Sequence, residues 1–197
     1  MTSAGEKICL ESANHLLRTM EPEDALLDWG GWSANPTTAR FLNAAPRAMS
    51  VGERQAYIAR FDSKARHLLG IWEKDSARLV GLWAIYVNGA AREFLLNVLV
   101  GVGDARAKGA RDDTCELIYE HFFDRLDMLA VRCTVSERNE KMIRHLLQRR
   151  WTRVGASERE SVAGERAVAI HLFRLSREDW RARVAEGRRL DVGRKFG

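Results

Sequence analysis

Residues Glu93 to Arg125 constrain the fold more than any other stretch of this chain: EFLLNVLVGVGDARAKGARDDTCELIYEHFFDR. The run Phe94–Val100 is almost continuously apolar and short, as in a strand buried on both faces. A loop follows with Gly101, Gly103 and Gly109 set among Arg106, Lys108 and Arg111. After it, Cys115, Ile118, Tyr119, Phe122 and Leu126 recur at the spacing of one helix face. Strand, basic glycine loop and helix in that order make a device for gripping anions. The first amides of a helix lack intrahelical partners, the macrodipole adds positive charge, and glycine lets an anion approach the backbone. The same pattern also serves as ordinary turn chemistry, so the rest of the chain must decide.

Before this stretch, Lys7–Leu10 and His15–Thr19 read as short extended segments, and Glu21-Pro22-Glu23-Asp24 opens a helix over Ala25–Trp29. Trp32–Met49 reads as irregular or as holding a short helix. Ser50-Val51-Gly52-Glu53 is a capping box for a helix from about Glu53 to Phe61. His67–Lys74 and Leu79–Val87 predict an antiparallel hairpin, joined to the strand at Phe94 through an Asn88-Gly89 turn. Beyond the central helix come a strand over Met128–Val135 and an amphipathic helix over Asn139–Arg150 with Met142, Ile143, Leu146 and Leu147 on its apolar side. Strands at Trp151–Ala156 and Val168–Leu175 follow, linked by a polar connection at 157–164. Ser176 caps a last helix that fades into the basic stretch Arg188–Lys195. The order β-α-α-β-β-β-α-β-α-β-β plus a C-terminal helix predicts an α+β fold. Its core is a largely antiparallel mixed sheet of about seven strands flanked by helices. One domain over 1–180 is expected, with a basic helix end and tail over 181–197.

Composition narrows the class. With 197 residues, 46% apolar and 30% charged, the chain can bury a real core. No apolar run approaches the roughly 18 residues of a membrane span, and MTSAGEKICLES has no apolar signal core. A cytoplasmic protein with no membrane contact is the expectation. Cys9, Cys115 and Cys133 lack C-x-x-C or zinc-ligand spacing, so they read as reduced core thiols, and no metal site is expected. A net charge of +5 suits either an anionic cofactor or nucleic acid. Neither G-x-G-x-x-G nor G-x-x-x-x-G-K-[ST] occurs.

In this order and spacing the chain resembles the GNAT superfamily of acetyl-CoA-dependent N-acyltransferases, and most of all the branch of the ribosomal-protein N-terminal acetyltransferases. The resemblance runs from Leu17-Arg18-Thr19-Met20-Glu21-Pro22-Glu23-Asp24 to Leu175-Ser176-Arg177-Glu178-Asp179-Trp180. Arg106-Ala107-Lys108-Gly109-Ala110-Arg111 is similar to the pyrophosphate loop, usually Q/R-x-x-G-x-G/A. Val131–Val135 with Asn139 is similar to the fifth strand and the asparagine opening the next helix. Arg149-Arg150-Trp151 stands at the usual hydrophobic-Gly-Phe turn. Three departures stand out. Arg111 replaces a small residue, Arg150 replaces a glycine, and Met142 and Leu146 stand where many relatives have a serine or tyrosine acid.

The resemblance implies direct attack of an amine on acetyl-CoA in a ternary complex, with no metal. It implies that Leu99 and Val100, with Gly101 and Val102, hold pantetheine through backbone groups, and that Arg106, Ala107, Lys108, Gly109, Ala110 and Arg111 hold phosphates. Arg111 either adds a phosphate contact or loosens the grip. Asn139 is a pantetheine contact or a helix N-cap. Glu93 and Glu137 are the candidate bases, Ser136 and His145 the candidate acids. Trp32, with Trp29 and Trp83 as further candidates, is expected at the acceptor. The acceptor amine is open: a protein N-terminus or a small molecule. The rival expectation is a catalytically silent GNAT-like or basic nucleic-acid-binding module. Monomer and homodimer are both compatible.

Overall fold

The computed structural model describes residues 5–101, 109–162 and 167–195. The chain opens with a hairpin of β1 (Cys9–Glu11) and β2 (His15–Thr19), so the two short extended segments are separate strands, and the sheet has eight strands instead of about seven. A 3₁₀ turn at Pro22–Leu26 takes the place of the expected helix. Asp24 closes it by accepting from the Glu21 amide at 2.8 Å and holding Arg18 through two bonds of 2.7 and 2.8 Å. Helix α1 (Pro36–Leu42) has Asn35 as its N-cap, accepting from the amides of Thr37 and Thr38, with proline at the first helical position. Helix α2 (Val51–Ile58) carries the predicted capping box of Ser50 and Glu53.

The meander follows as β3 (Arg66–Glu73), β4 (Arg78–Asn88) and β5 (Glu93–Val100). Helix α3 (Ala110–Tyr119) widens into a π-helical segment at Glu120–Arg125. Then come β6 (Ala130–Ser136), α4 (Glu140–Gln148), β7 (Thr152–Arg159), β8 (Val168–Ser176) and α5 (Arg177–Lys195). β7 therefore runs three residues into the expected polar connection. Sheet order is β1-β2-β3-β4-β5-β6-β8-β7, with every neighbouring pair antiparallel except β5 and β6.

Each face of the sheet carries its own core. On one, Phe94 and Leu96 of β5 pack with Ile118, Tyr119, Phe122 and Phe123 of the central helix, with Trp151, and with Trp180 of α5. On the other, Leu68, Leu82 and Ala84 pack with Trp29 and with Ile58 of α2. Adjacent residues such as Leu68 and Leu69 serve opposite cores, as strand alternation requires. Some expected core positions are outside: Cys9 and Leu126 are exposed, and Leu147 turns to solvent beside buried Leu146.

Candidate active site

β5 and β6 pair over only three rungs, Glu93↔Ala130, Phe94↔Val131 and Leu95↔Arg132. Beyond them the strands part. β5 keeps its ladder to β4 as far as Val100, and β6 keeps its ladder to β8 as far as Ser136. Among the described residues, the facing backbone groups of Leu96–Val100 and Cys133–Ser136 have no strand partner across the gap. Orphaned backbone donors and acceptors at a cleft are ready to bind an extended chain with amide groups.

A cleft of about 620 Å³ occupies this gap. Its walls include five consecutive residues of β5, Leu96–Val100, and four of β6, Cys133–Ser136. Consecutive strand residues face opposite sides of a sheet, so the cleft passes through the sheet and opens on both faces. On the α3 face it is lined by Trp83, Cys115, Tyr119, Asn139, Met142 and Leu146, together with a charged group. On the other it is lined by Thr37, Thr38, Phe41 and Leu42 of α1 with Asn97, Thr134 and Ser136.

Local chemistry fixes both halves. Gly109 caps α3 in the left-handed region at φ +93°, where a side chain would be strained, and it lines the cleft. The first turn of α3 is pinned from both sides. His15 Nδ1 and Ser12 Oγ lie 2.6 and 2.5 Å from Asp113 Oδ2, and Thr114 Oγ1 accepts from Trp83 Nε1 at 2.9 Å. Burial alone would raise the Asp113 carboxyl, but these bonds hold it below its usual range. Across the sheet, Asn43 at the end of α1 donates to the Glu160 carbonyl at 2.9 Å and accepts from the Val162 amide at 3.3 Å. α1 is thereby tied to the segment after β7.

The charged group joins α3 to α4. Arg111 Nε and Nη2 lie 2.8 and 2.7 Å from Asp112 Oδ1, Nη1 reaches Met142 Sδ at 3.2 Å, and Nη2 also lies 3.1 Å from His145 Nε2. Arg149 Nη2 donates to Asp112 Oδ2 at 3.3 Å, and its Nη1 lies 3.5 Å from Glu116. Burial, followed by the neighbouring Arg111 charge, holds His145 below the usual histidine range. Cys115 and Cys133 are both pushed up to about 12 by burial, so they stay protonated thiols.

Of the expected site residues, Leu99, Val100, Gly109, Arg111, Ser136, Asn139 and His145 line the cleft. Ala110 packs into the core instead. Asn139 Oδ1 accepts from the Met142 amide at 3.2 Å, so its capping role is observed. Glu93 sits at the paired end, outside the lining, with Arg132 and Arg174 donating to its two oxygens at 2.5 and 3.1 Å. Those bonds, Arg132 first, hold its carboxyl below the usual range and make it a poorer proton acceptor. Glu137 also lies outside the lining; its amide donates to the Ala169 carbonyl. Trp32 lies against Gly101, where a Cβ would meet its ring at 3.1 Å, while Trp29 is buried in the second core. Val102, Arg106, Ala107 and Lys108 lie outside the described residues. Sequence reasoning missed the α1 wall, although Asn35-Pro36 is a helix-start signal. It also missed the Asp112–Arg149 pair, which no local pattern announces.

Among the described residues, no group of three or more His, Cys, Asp or Glu side chains could hold a metal ion, and no helix is long and apolar enough to cross a membrane. No protein-family model and no curated protein matches the sequence. Solved structures do match. A GNAT-family acetyltransferase from Bacillus anthracis superposes with a TM-score of 0.71 at 10% identity, over 87% of this chain and 99% of that one. The spermidine N-acetyltransferase of Vibrio cholerae, solved with CoA and spermine, gives 0.70 at 15% identity over 86% and 99%. The ribosomal-protein-S5-alanine acetyltransferase of Vibrio fischeri gives 0.69 at 11% identity over 88% and 98%. Eight strands in this order, parted only at the one parallel pair, are thus the α+β fold of the GNAT acetyltransferases.

Proposed function

We propose that the protein is an acetyl-CoA-dependent N-acetyltransferase that passes an acetyl group to a primary amine by direct attack in a ternary complex. The observation that carries this reading is the cleft through the sheet. It lets two substrates meet from opposite faces without either crossing the other's path. The α3 face suits the acetyl donor. Leu99 and Val100 offer backbone groups to a pantetheine arm, and the capped first turn of α3 offers amides to phosphates; in sequence, Arg106 and Lys108 come just before it. Acetyl-CoA supplies an activated acyl carbon; the protein supplies position and charge. The α1 face suits the amine, and the Ser136 hydroxyl is the group we assign to accept a hydrogen bond from it. His145, unprotonated at neutral pH, is suited to receive a proton and not to give one. Protonated Cys115 and Cys133 favour direct attack over a covalent relay.

The acceptor is an amine without a dedicated anionic pocket, since the described α1 half of the lining carries no carboxylate. Nucleic-acid binding fits less well. Arg18, Arg92, Arg150, Arg177 and Arg181 are each paired with a carboxylate, which spends much of the basic excess locally.

Calorimetric titration with acetyl-CoA tests the reading, with Gly109→Trp alongside as a strained and bulky block of the α3 cap. Micromolar binding that the variant loses supports it. An unresponsive wild type, with salt-sensitive nucleic-acid affinity in its place, would favour the non-enzymatic module.

A further inference from the structure

Two arginines line the α3 half of the cleft and share Asp112, but one of them also reaches a neutral partner. Arg149 faces carboxylates, Asp112 and Glu116. Arg111 holds Asp112 Oδ1 with Nε at 2.8 Å and Nη2 at 2.7 Å, and Nη2 also lies 3.1 Å from His145 Nε2, but its remaining nitrogen, Nη1, faces a neutral thioether, Met142 Sδ at 3.2 Å. A thioether is a weak acceptor. The Nη1 edge of a guanidinium aimed at one, about a quarter exposed, keeps its capacity for a stronger acceptor that enters the same space. The surrounding walls, Met142, Val135 and Leu146, are apolar. Such walls strengthen an ion pair and suit a soft, weakly hydrated anion better than a phosphate. On the acetyltransferase reading, the amides of the α3 cap take the phosphates.

We infer that the Arg111 guanidinium receives the thiolate released when an amine cleaves a thioester in this cleft. The inference rests on the acetyltransferase reading. The amine nitrogen supplies the electron pair of the new C–N bond. The C–S bond breaks, and its pair leaves on sulfur as a thiolate. The nitrogen gives up one proton to water. Arg111 remains charged throughout and transfers no proton, so it stabilises the leaving group by ion pairing until solvent protonates the sulfur. Arg111 is then a catalytic residue for this step, and its reach to Met142 marks where the sulfur comes to lie.

The first test needs no turnover. CoA is bound to the wild type and to Arg111→Met, and the pKa of its thiol is read from the ultraviolet absorbance of the thiolate. The wild type is expected to lower that pKa by about one unit or more relative to free CoA, and Arg111→Met to restore the free value. Failure of CoA to bind the wild type would sink the acetyltransferase reading itself. Binding with an unshifted thiol overturns only the role of Arg111. The second test compares acetyl-CoA with S-acetylpantetheine, which has no phosphate. For Arg111→Met, kcat is expected to fall by about 10²-fold with both donors and little change in KM, and Arg111→Lys to recover part of the loss. A raised KM confined to acetyl-CoA, with acetylpantetheine unaffected, would show a phosphate grip and overturn the proposal. Equal thermal unfolding midpoints for wild type and Arg111→Met confirm that each difference reads the site and not the fold.

Discussion

Glu93 Oε2 accepts a 2.5 Å hydrogen bond from Arg132 Nε beside the last rungs that β5 and β6 share. Arg174 Nε, on β8, donates to the other oxygen at 3.1 Å. One carboxylate thus ties three strands at the apex of the cleft. One register step beyond Leu95↔Arg132 the strands have parted, and the through-sheet opening begins. The position at which this fold opens is therefore set by a charge cluster as well as by backbone pairing.

Glu93→Gln should lower unfolding stability by about 1–3 kcal/mol, because two arginines lose their shared anion and face each other. Chemical denaturation measures it. The pH dependence carries the sign. The folded carboxyl titrates below the ordinary value of 4.5, so its contribution is complete above 4.5 and is lost as pH falls through the folded value. The wild type should lose stability over that acid window, and Glu93→Gln should lose less. Identical acid profiles for the two would remove Glu93 from this role.

Much of this was legible in the sequence, for physical reasons. The strands β3 to β5 alternate apolar residues between two cores, so their pattern survives without tertiary information. Ser50 and Glu53 announce α2 by a local reciprocal bond. The end of β7 is not legible because all eight of its residues are exposed, which leaves Ser157–Arg159 without an apolar rhythm to mark them as strand. The site was legible where it is backbone, as at Gly109 and Asn139, and illegible where it depends on reach. Nothing local in Arg111 predicts contact with Met142, thirty-one positions on, or in Asp112 contact with Arg149. Glu93 is legible as a strand-end carboxylate, but its two arginine partners come from strands distant in sequence.

The cysteines should divide into one accessible thiol and two inert ones. Cys9 is exposed, whereas Cys115 and Cys133 are pushed up to about 12. At pH 8 both of the latter remain thiols. A chromogenic disulfide reagent should titrate one thiol of the native protein promptly and three after denaturation. The double variant Cys115→Ser, Cys133→Ser should keep acyl transfer without a burst phase. A burst that the double variant abolishes would point to an acyl-enzyme and against direct attack.

His145 should titrate below the ordinary 6.5, held down by burial and then by Arg111, with Arg149 and Arg183 adding to the effect and Asp112 opposing it. Removing the Arg111 charge in Arg111→Met should raise the value toward 6.5, read from imidazole resonances in an NMR titration. The unfolded chain binds this proton more readily than the folded one. Acidification through 6.5 should therefore cost the wild type more stability at this residue than it costs the variant. A His145 value that ignores the substitution would mean that the two side chains are not in contact in solution.

The α1 half should be separable from the α3 half. Asn43 holds a left-handed backbone at φ 50° and clasps Glu160 and Val162 through its side chain alone. Asn43→Gly keeps that backbone free of strain and deletes both bonds. α1 carries Thr37, Thr38 and Phe41 into the cleft, so a loosened clasp should raise KM for the acceptor by about fivefold, the equivalent of one exposed hydrogen bond. The affinity for acetyl-CoA should not move, because α3 is pinned independently by Asp113 and Thr114. Steady-state kinetics at saturating donor and calorimetry with CoA separate the two quantities. A matching loss in both would mean that the two mouths of the cleft are mechanically coupled, and that the acceptor wall also shapes the donor side.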